Sequence, residues 1–157
     1  METLQLKRNR MGRGVEDAYT NLLGLLECPS IRVLDISDNH IDDERILEEV
    51  IYKMPNLSVL YMQGNPFTKK LRSYRKTVTV ALPDLKYLDD KPVFEDDRRY
   101  AEAFVRGGFD EEREERKRFK AEKDEKHWKN HEAFKAMISK AREEKKIADE
   151  AKKIVQS

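Results

Sequence analysis

IRVLDISDNHI at residues 31–41 superimposes on LSVLYMQGNPF at residues 57–67, with Ile31 on Leu57, Leu34 on Leu60, Ile36 on Met62, Asn39 on Asn65 and Ile41 on Phe67. Met1, Leu4, Leu6, Asn9 and Met11 fit the same frame, and Leu85 with Leu88 opens a fourth unit that Asp89-Asp90 interrupts. The asparagines lie 30 and 26 residues apart. A period in that range marks stacked supersecondary units, each unable to bury its apolar face alone.

Each unit predicts a short strand. Alternation sends the central apolar residues of the frame inward and their neighbours outward, while the asparagine offers an amide to backbone groups where the chain turns away. Between strands, Val15 to Leu26 carries Leu22, Leu23 and Leu26, and Arg45 to Met54 carries Ile46, Leu47, Val50, Ile51 and Met54. These spacings predict two helices on the outer side. Pro29 and Pro55 end them, because proline disfavours helical geometry in the residue before it, and Asp42-Asp43 supplies capping carboxylates for the second. The pattern is that of a leucine-rich repeat, an α/β solenoid with a short parallel sheet and convex helices. Met1 already occupies an apolar repeat position. The expectation is therefore the C-terminal part of a longer array, or a first strand whose edge a partner covers.

In NPFTKKLRSYRKTVTVALPDLKYLDDKPVF, residues 65–94, the side chains of Tyr74, Val78, Val80 and Leu82 are expected to cover the last repeat, with Leu85 and Leu88 plugging its end. Gly107-Gly108 should stop a short helix over about 96–106, as glycine does in a left-handed C-terminal position, and Asp110 should cap the next. Of the 44 residues from Asp110 to Lys153, 28 are charged and none is glycine or proline. Acid-before-base pairs four apart, such as Glu112 with Arg116, Glu122 with Lys126 and Glu125 with Lys129, support a long charged helix. Phe134, Ala141, Ala148 and Val155 keep a seven-residue period, but Glu144 falls on the second seam. That favours a helix ordered on a partner or filament over an independent coiled coil. The division expected is 1–67 leucine-rich repeats, 68–108 a C-terminal cap, and 109–157 a long charged helical tail.

Lys and Arg number 32 against 31 for Asp and Glu, a formal net charge of +1 that gives no global attraction to nucleic acid or anionic membrane. No stretch approaches the roughly 18 apolar residues of a membrane span, so a soluble, unsecreted protein is expected. Cys28 is the single cysteine. It reads as a small buried residue in a reducing compartment. His127 and His131 share a helical face but lack the glutamate of a zinc-binding helix and any third ligand, and His40 reads as a loop residue. No catalytic, metal or cofactor site is expected.

Two surfaces remain as candidates. Strand residues between the buried leucines should line the concave face: Thr3, Gln5, Lys7, Val33, Asp35, Ser37, Val59, Tyr61, Gln63 and Tyr87. Within that set Val33, Asp35, Val59, Tyr61, Gln63 and Tyr87 are the protein-binding candidates, since aromatic area on a rigid sheet suits a protein partner, against the alternative of scattered exposed apolar residues. The second is a basic cluster, Lys69, Lys70, Arg72, Arg75 and Lys76, which could contact a filament or RNA phosphates. A solvated surface is the simpler reading there.

The pattern N-P, Y-R, V, L-P-x-L, L-D resembles the C-terminal cap of cytosolic leucine-rich-repeat proteins, including the spliceosomal A-prime type, the acidic nuclear type and an axonemal dynein light chain. Residues 74–80 (YRKTVTV), 87–94 (YLDDKPVF), 101–104 (AEAF) and 106–108 (RGG) are more specific, and with them the chain from about Ile31 to Gly108 resembles the leucine-rich-repeat family of dynein axonemal assembly factors. That resemblance implies a non-catalytic protein acting in cytoplasmic preassembly of ciliary and flagellar dynein arms. Dynein-arm subunits or assembly co-chaperones would be its partners, with no membrane and no nucleic acid. The alternatives are an axonemal component that binds axonemal proteins or tubulin, and a leucine-rich-repeat subunit of a ribonucleoprotein.

Overall fold

The computed structural model describes residues 1–14 and 18–156; the expected helix start at Val15 and the last tail residue, Ser157, lie outside the described residues. Strands β1 (Thr3–Gln5), β2 (Val33–Asp35), β3 (Val59–Tyr61) and β4 (Tyr87–Leu88) run parallel, and β5 (Lys91–Pro92) returns antiparallel to β4. Sheet order follows chain order. Leu4, Leu34, Leu60 and Leu88 are in register across the four parallel strands, and the last three are fully buried. The expected strand frame and sheet are those observed.

The turn after each inner strand is built alike. The residue just before each repeat asparagine takes a left-handed conformation: Arg8 at φ 59°, Asp38 at 53° and Gly64 at 80°. Only the third is a glycine, and there a Cβ would stand 2.2 Å from Asp38 Oδ1. Asn39 then closes its turn from both sides. Its Oδ1 accepts from the amides of Asn9 (2.8 Å) and Met11 (3.1 Å), and its Nδ2 donates to the carbonyls of Leu6 and Ile36, both at 2.9 Å. Asn65 repeats the pattern one unit on, donating to Ile36 and Met62 and accepting from the amide of Ile41.

The outer side differs from expectation in its first helix. Ala18–Glu27 is a 3-10 helix. With three residues per turn, the inward stripe repeats every third position, which selects Tyr19, Leu22, Leu25 and Cys28. Leu23 and Leu26, expected to face inward, are exposed, and Cys28 is half-buried. The second outer segment is α1 (Arg45–Glu49) followed by a 3-10 turn, Ile51–Lys53, and it buries Ile46, Leu47, Val50, Ile51 and Met54 as expected. Asp43 serves its start: the carboxylate accepts the Arg45 amide at 3.1 Å and its guanidinium at 2.8 Å. The Arg45 side chain holds that carboxyl below its usual range.

Beyond β3 come α2 (Pro66–Lys70), which buries Phe67, and α3 (Tyr74–Ala81). On α3 the buried residues are Val78 and Thr79, while Val80, expected to face inward, is half-exposed. The last element, α4 (Glu95–Val155), is broken at Gly107 and Gly108, whose φ of 73° and ψ of −158° take the backbone out of helical geometry. The break falls on the expected glycines, but a ψ of −158° at Gly108 differs from the left-handed cap expected there. The chain forms two compact units, Met1–Glu115 and Arg116–Ser157. The boundary thus lies seven residues past the expected start of the tail. In the second unit Trp128, Phe134, Met137, Ile147 and Ile154 are exposed, and Glu125 pairs with Lys129 at 2.6 Å.

Candidate functional site

The concave face is set by the strand register. Thr3, Val33, Val59 and Tyr87 form one row across the sheet, and Gln5, Asp35 and Tyr61 the next. Val33, Val59, Tyr61 and Tyr87 are half-buried, and Gln63 is exposed just past β3. The Tyr61 and Tyr87 rings lie 6.1 Å apart, tilted by 54°. A bond of 3.0 Å from the Tyr87 hydroxyl to the Asp90 carbonyl fixes its ring. The result is a continuous aliphatic and aromatic strip with few rotamers left to freeze, an arrangement suited to contact with another protein.

Ser37 departs from its expected place. It is 1% exposed, because its amide and hydroxyl both turn onto Asp35 Oδ1, at 2.9 and 2.6 Å. Asp35 is thereby held in one orientation and keeps its negative charge in the row of Tyr61. Lys7 is exposed and pairs with Asp38 at 3.5 Å.

The five residues of the basic cluster do not act as one patch. Arg75 donates to the carbonyls of Leu88 (3.1 Å) and Pro92 (2.6 Å), tying α3 to the β4–β5 hairpin. Lys76 is paired with Glu112, which is 6% exposed, and its ammonium sits 4.2 Å from the centre of the Phe104 ring and 5.2 Å from that of Phe109. Lys70 binds Asp42 at 2.9 Å. Lys69 and Arg72 are exposed. Three of the five side chains are thus engaged within the first unit: Arg75 by carbonyls, Lys76 by a buried acid and Lys70 by a surface carboxylate.

Several residues that shape this unit had no sequence signal of their own. Arg98 donates to the carbonyls of Leu82 (3.1 Å) and Leu85 (2.8 Å), closing the C-terminal end of α3 where a cation is favoured. Arg99 pairs with the buried Glu115. Glu112 binds Lys76 from 36 residues away. Asp89 stands at φ 54° and accepts the amides of Met62 (2.8 Å) and Gln63 (3.0 Å) with one oxygen and the Tyr74 hydroxyl (3.1 Å) with the other. Asp89 thus ties the end of β4 to the turn after β3, while β5 takes the outer edge of β4. His127 and His131 are exposed, and no group of three potential metal ligands occurs among the described residues. No described helix is long and apolar enough to cross a membrane.

A parallel sheet of in-register leucines, asparagine-closed turns and outer helical segments defines a leucine-rich-repeat module with an exposed inner face. Its sequence relatives include proteins named as dynein axonemal assembly factors. The chain is 48% identical over 124 residues to "Dynein axonemal assembly factor 1" of Mus musculus, covering 79% of this chain and 19% of that protein. It is 39% identical over 108 residues to "Leucine-rich repeat-containing protein ODA7" of Chlamydomonas reinhardtii, covering 69% of this chain and 25% of that protein. The chain thus spans about a fifth to a quarter of the length of these relatives. Among solved structures, the Drosophila melanogaster SNF/U2A' complex aligns with 53% of this chain and 47% of its own, at 25% identity and a TM-score of 0.47. No family model matches the chain.

Proposed function

We propose that this chain is the repeat-and-cap portion of a non-catalytic binding factor in the cytoplasmic preassembly of axonemal dynein arms. The observation that carries the reading is identity of 39% and 48%, over most of the chain, to two relatives named for that role or for the repeat that underlies it. Residues 1–67 are its repeats, 68–108 its cap and 109–157 a charged helical tail. The concave strip formed by Val33, Asp35, Val59, Tyr61, Gln63 and Tyr87 takes a protein partner, a dynein-arm subunit or an assembly co-chaperone. It needs no cofactor. Internal use of Arg75, Lys76 and Lys70 weighs against the basic cluster as a contact for RNA or tubulin.

The test is the Tyr61→Glu, Tyr87→Glu double variant. Both residues are half-buried on the face, so their replacement should cost about 1 kcal/mol of stability or less, whereas loss of a central aromatic contact removes roughly 2 kcal/mol or more of binding. Cells carrying the variant should assemble axonemes that lack dynein arms in electron micrographs, while the purified protein melts cooperatively. Normal arms with a stable variant would remove the concave face from the function.

A further inference from the structure

We infer that the concave face takes a basic segment of its protein partner, with an arginine side chain laid against the Tyr61 ring and bound by the carboxylate of Asp35. The inference rests on the reading of this face as the binding surface and adds the chemistry of its occupant. Asp35 and Tyr61 are opposite one another on β2 and β3, about 4.8 Å apart at ordinary strand spacing. The Ser37 amide and hydroxyl hold Asp35 Oδ1, which fixes the carboxylate and leaves Oδ2 without a bond among the described residues. On the other side of Tyr61 stands the Tyr87 ring, 6.1 Å away between centres, and its hydroxyl donates to the carbonyl of Asp90. Asp90 is exposed, with no ion pair among the described residues. An aromatic pair thus lies between two carboxylates, and neither has a counter-ion among those residues.

The cations nearby do not offset them. Alternation turns Glu2, Arg32 and Lys86 away from the side that Thr3, Val33 and Tyr87 present, and Lys91 is opposite the inward-facing Leu88. Lys7 shares the face, but it lies past β1, two strands from Tyr61, and with Arg8 it is taken up by Asp38, at 3.5 Å each. Asp89 is engaged by two amides and the Tyr74 hydroxyl, with Arg75 bound to the same hairpin. The balance beside the two rings therefore rests with Asp35 and Asp90, and it is negative. β2 and β3 are paired on both edges, so a partner cannot add there as a strand and must be read through side chains. A guanidinium suits this site better than an ammonium, because its plane stacks on a tyrosine ring while its N–H fork meets a carboxylate.

A random dodecapeptide library displayed on phage, panned on the immobilised full chain, tests this. Enriched peptides should carry arginine beside apolar residues. Synthetic copies should bind more weakly in raised salt and when that arginine is replaced by lysine. Asp35→Asn keeps an oxygen for Ser37 and removes the charge, so it should weaken these peptides roughly tenfold with an unchanged circular dichroism spectrum. Asp90→Asn, farther from the Tyr61 ring, should weaken them only about two- to threefold. Enrichment of acidic peptides, enrichment of lysine without arginine, or equal binding to the Asp35→Asn variant overturns the inference; loss of the same peptides on the uncharged Tyr61→Ala, Tyr87→Ala variant then still supports the face. Peptides that bind that tyrosine variant unchanged, or a library that enriches nothing over it, overturn both.

Discussion

Asn39 closes two turns with one carboxamide, accepting two amides of the preceding repeat and donating to carbonyls on both sides. Removing it strands buried backbone groups, so Asn39→Ala should lower stability by about 3 kcal/mol, read as a shift in the urea midpoint. Asn9 fits the same frame but is exposed, and Asn9→Ala should stay within about 0.5 kcal/mol. Two tyrosines on the other side of the core make an opposite pair. The Tyr52 hydroxyl is buried with no hydrogen-bond partner, so Tyr52→Phe should be neutral or stabilising by up to about 1 kcal/mol. Tyr74 donates to a carboxylate, and Tyr74→Phe should cost about 1.5 to 3 kcal/mol. Burial, then the charge of Glu48, pushes the Tyr52 phenol up from 10.0 to about 12, and burial with Asp89 raises Tyr74 as well. The folded state holds these protons more tightly than the unfolded chain. Their contribution is therefore complete below pH 10 and is lost as the pH rises toward 12 and beyond. Tyr52→Phe should flatten that alkaline decline. The asparagines were legible because a fixed spacing announces them. Asp89 was not, since a carboxylate in a strand frame reads as an interruption and shows no sign of the three donors it collects.

Among the elements, the strands were legible because leucines two apart repeat at the same offset in every unit. The first outer helix was legible in place but not in kind. Residues three apart share a face in both α and 3-10 geometry, and only the fourth-residue neighbour separates them, which is why Leu26, four past Leu22, was expected inside and is exposed. The attachment of residues 109–115 to the first unit was not legible for a different reason. Glu112 and Glu115 bind Lys76 and Arg99, 36 and 16 residues away, and in a chain that is 40% charged nothing marks two acids as buried. These pairs hold residues 109–115 on the first unit. Glu112→Gln leaves Lys76 beside two phenylalanine rings without its counter-ion. Because Lys76 retains 29% exposure, the loss should be about 1 to 2 kcal/mol, below that of a fully enclosed pair. Thermal melting of the variant, with Glu125→Gln as a surface control that should not move the midpoint, checks the assignment.

For the molecule as a whole, the division at Glu115 and Arg116 sets where a truncation can fall. Deleting residues 116–157 should leave the first unit folded, its urea midpoint moved by less than about 1 kcal/mol in stability terms. Deleting 110–157 removes Glu112 and Glu115 as well and should cost about 2 to 4 kcal/mol. Equal midpoints for the two truncations would mean that the ion pairs contribute nothing. The shared register of Val33, Val59 and Tyr87 was legible from alternation alone, whereas the contact between the Tyr61 and Tyr87 rings needed the structure.

The two ends of the sheet are not equivalent. β1 pairs on one side only. At the other end Pro92 has no N–H to offer, and the Arg75 guanidinium already occupies its carbonyl. A head-to-tail stack of copies needs both ends of the sheet to accept a neighbour, and a β5 end that cannot do so closes that route to polymerisation.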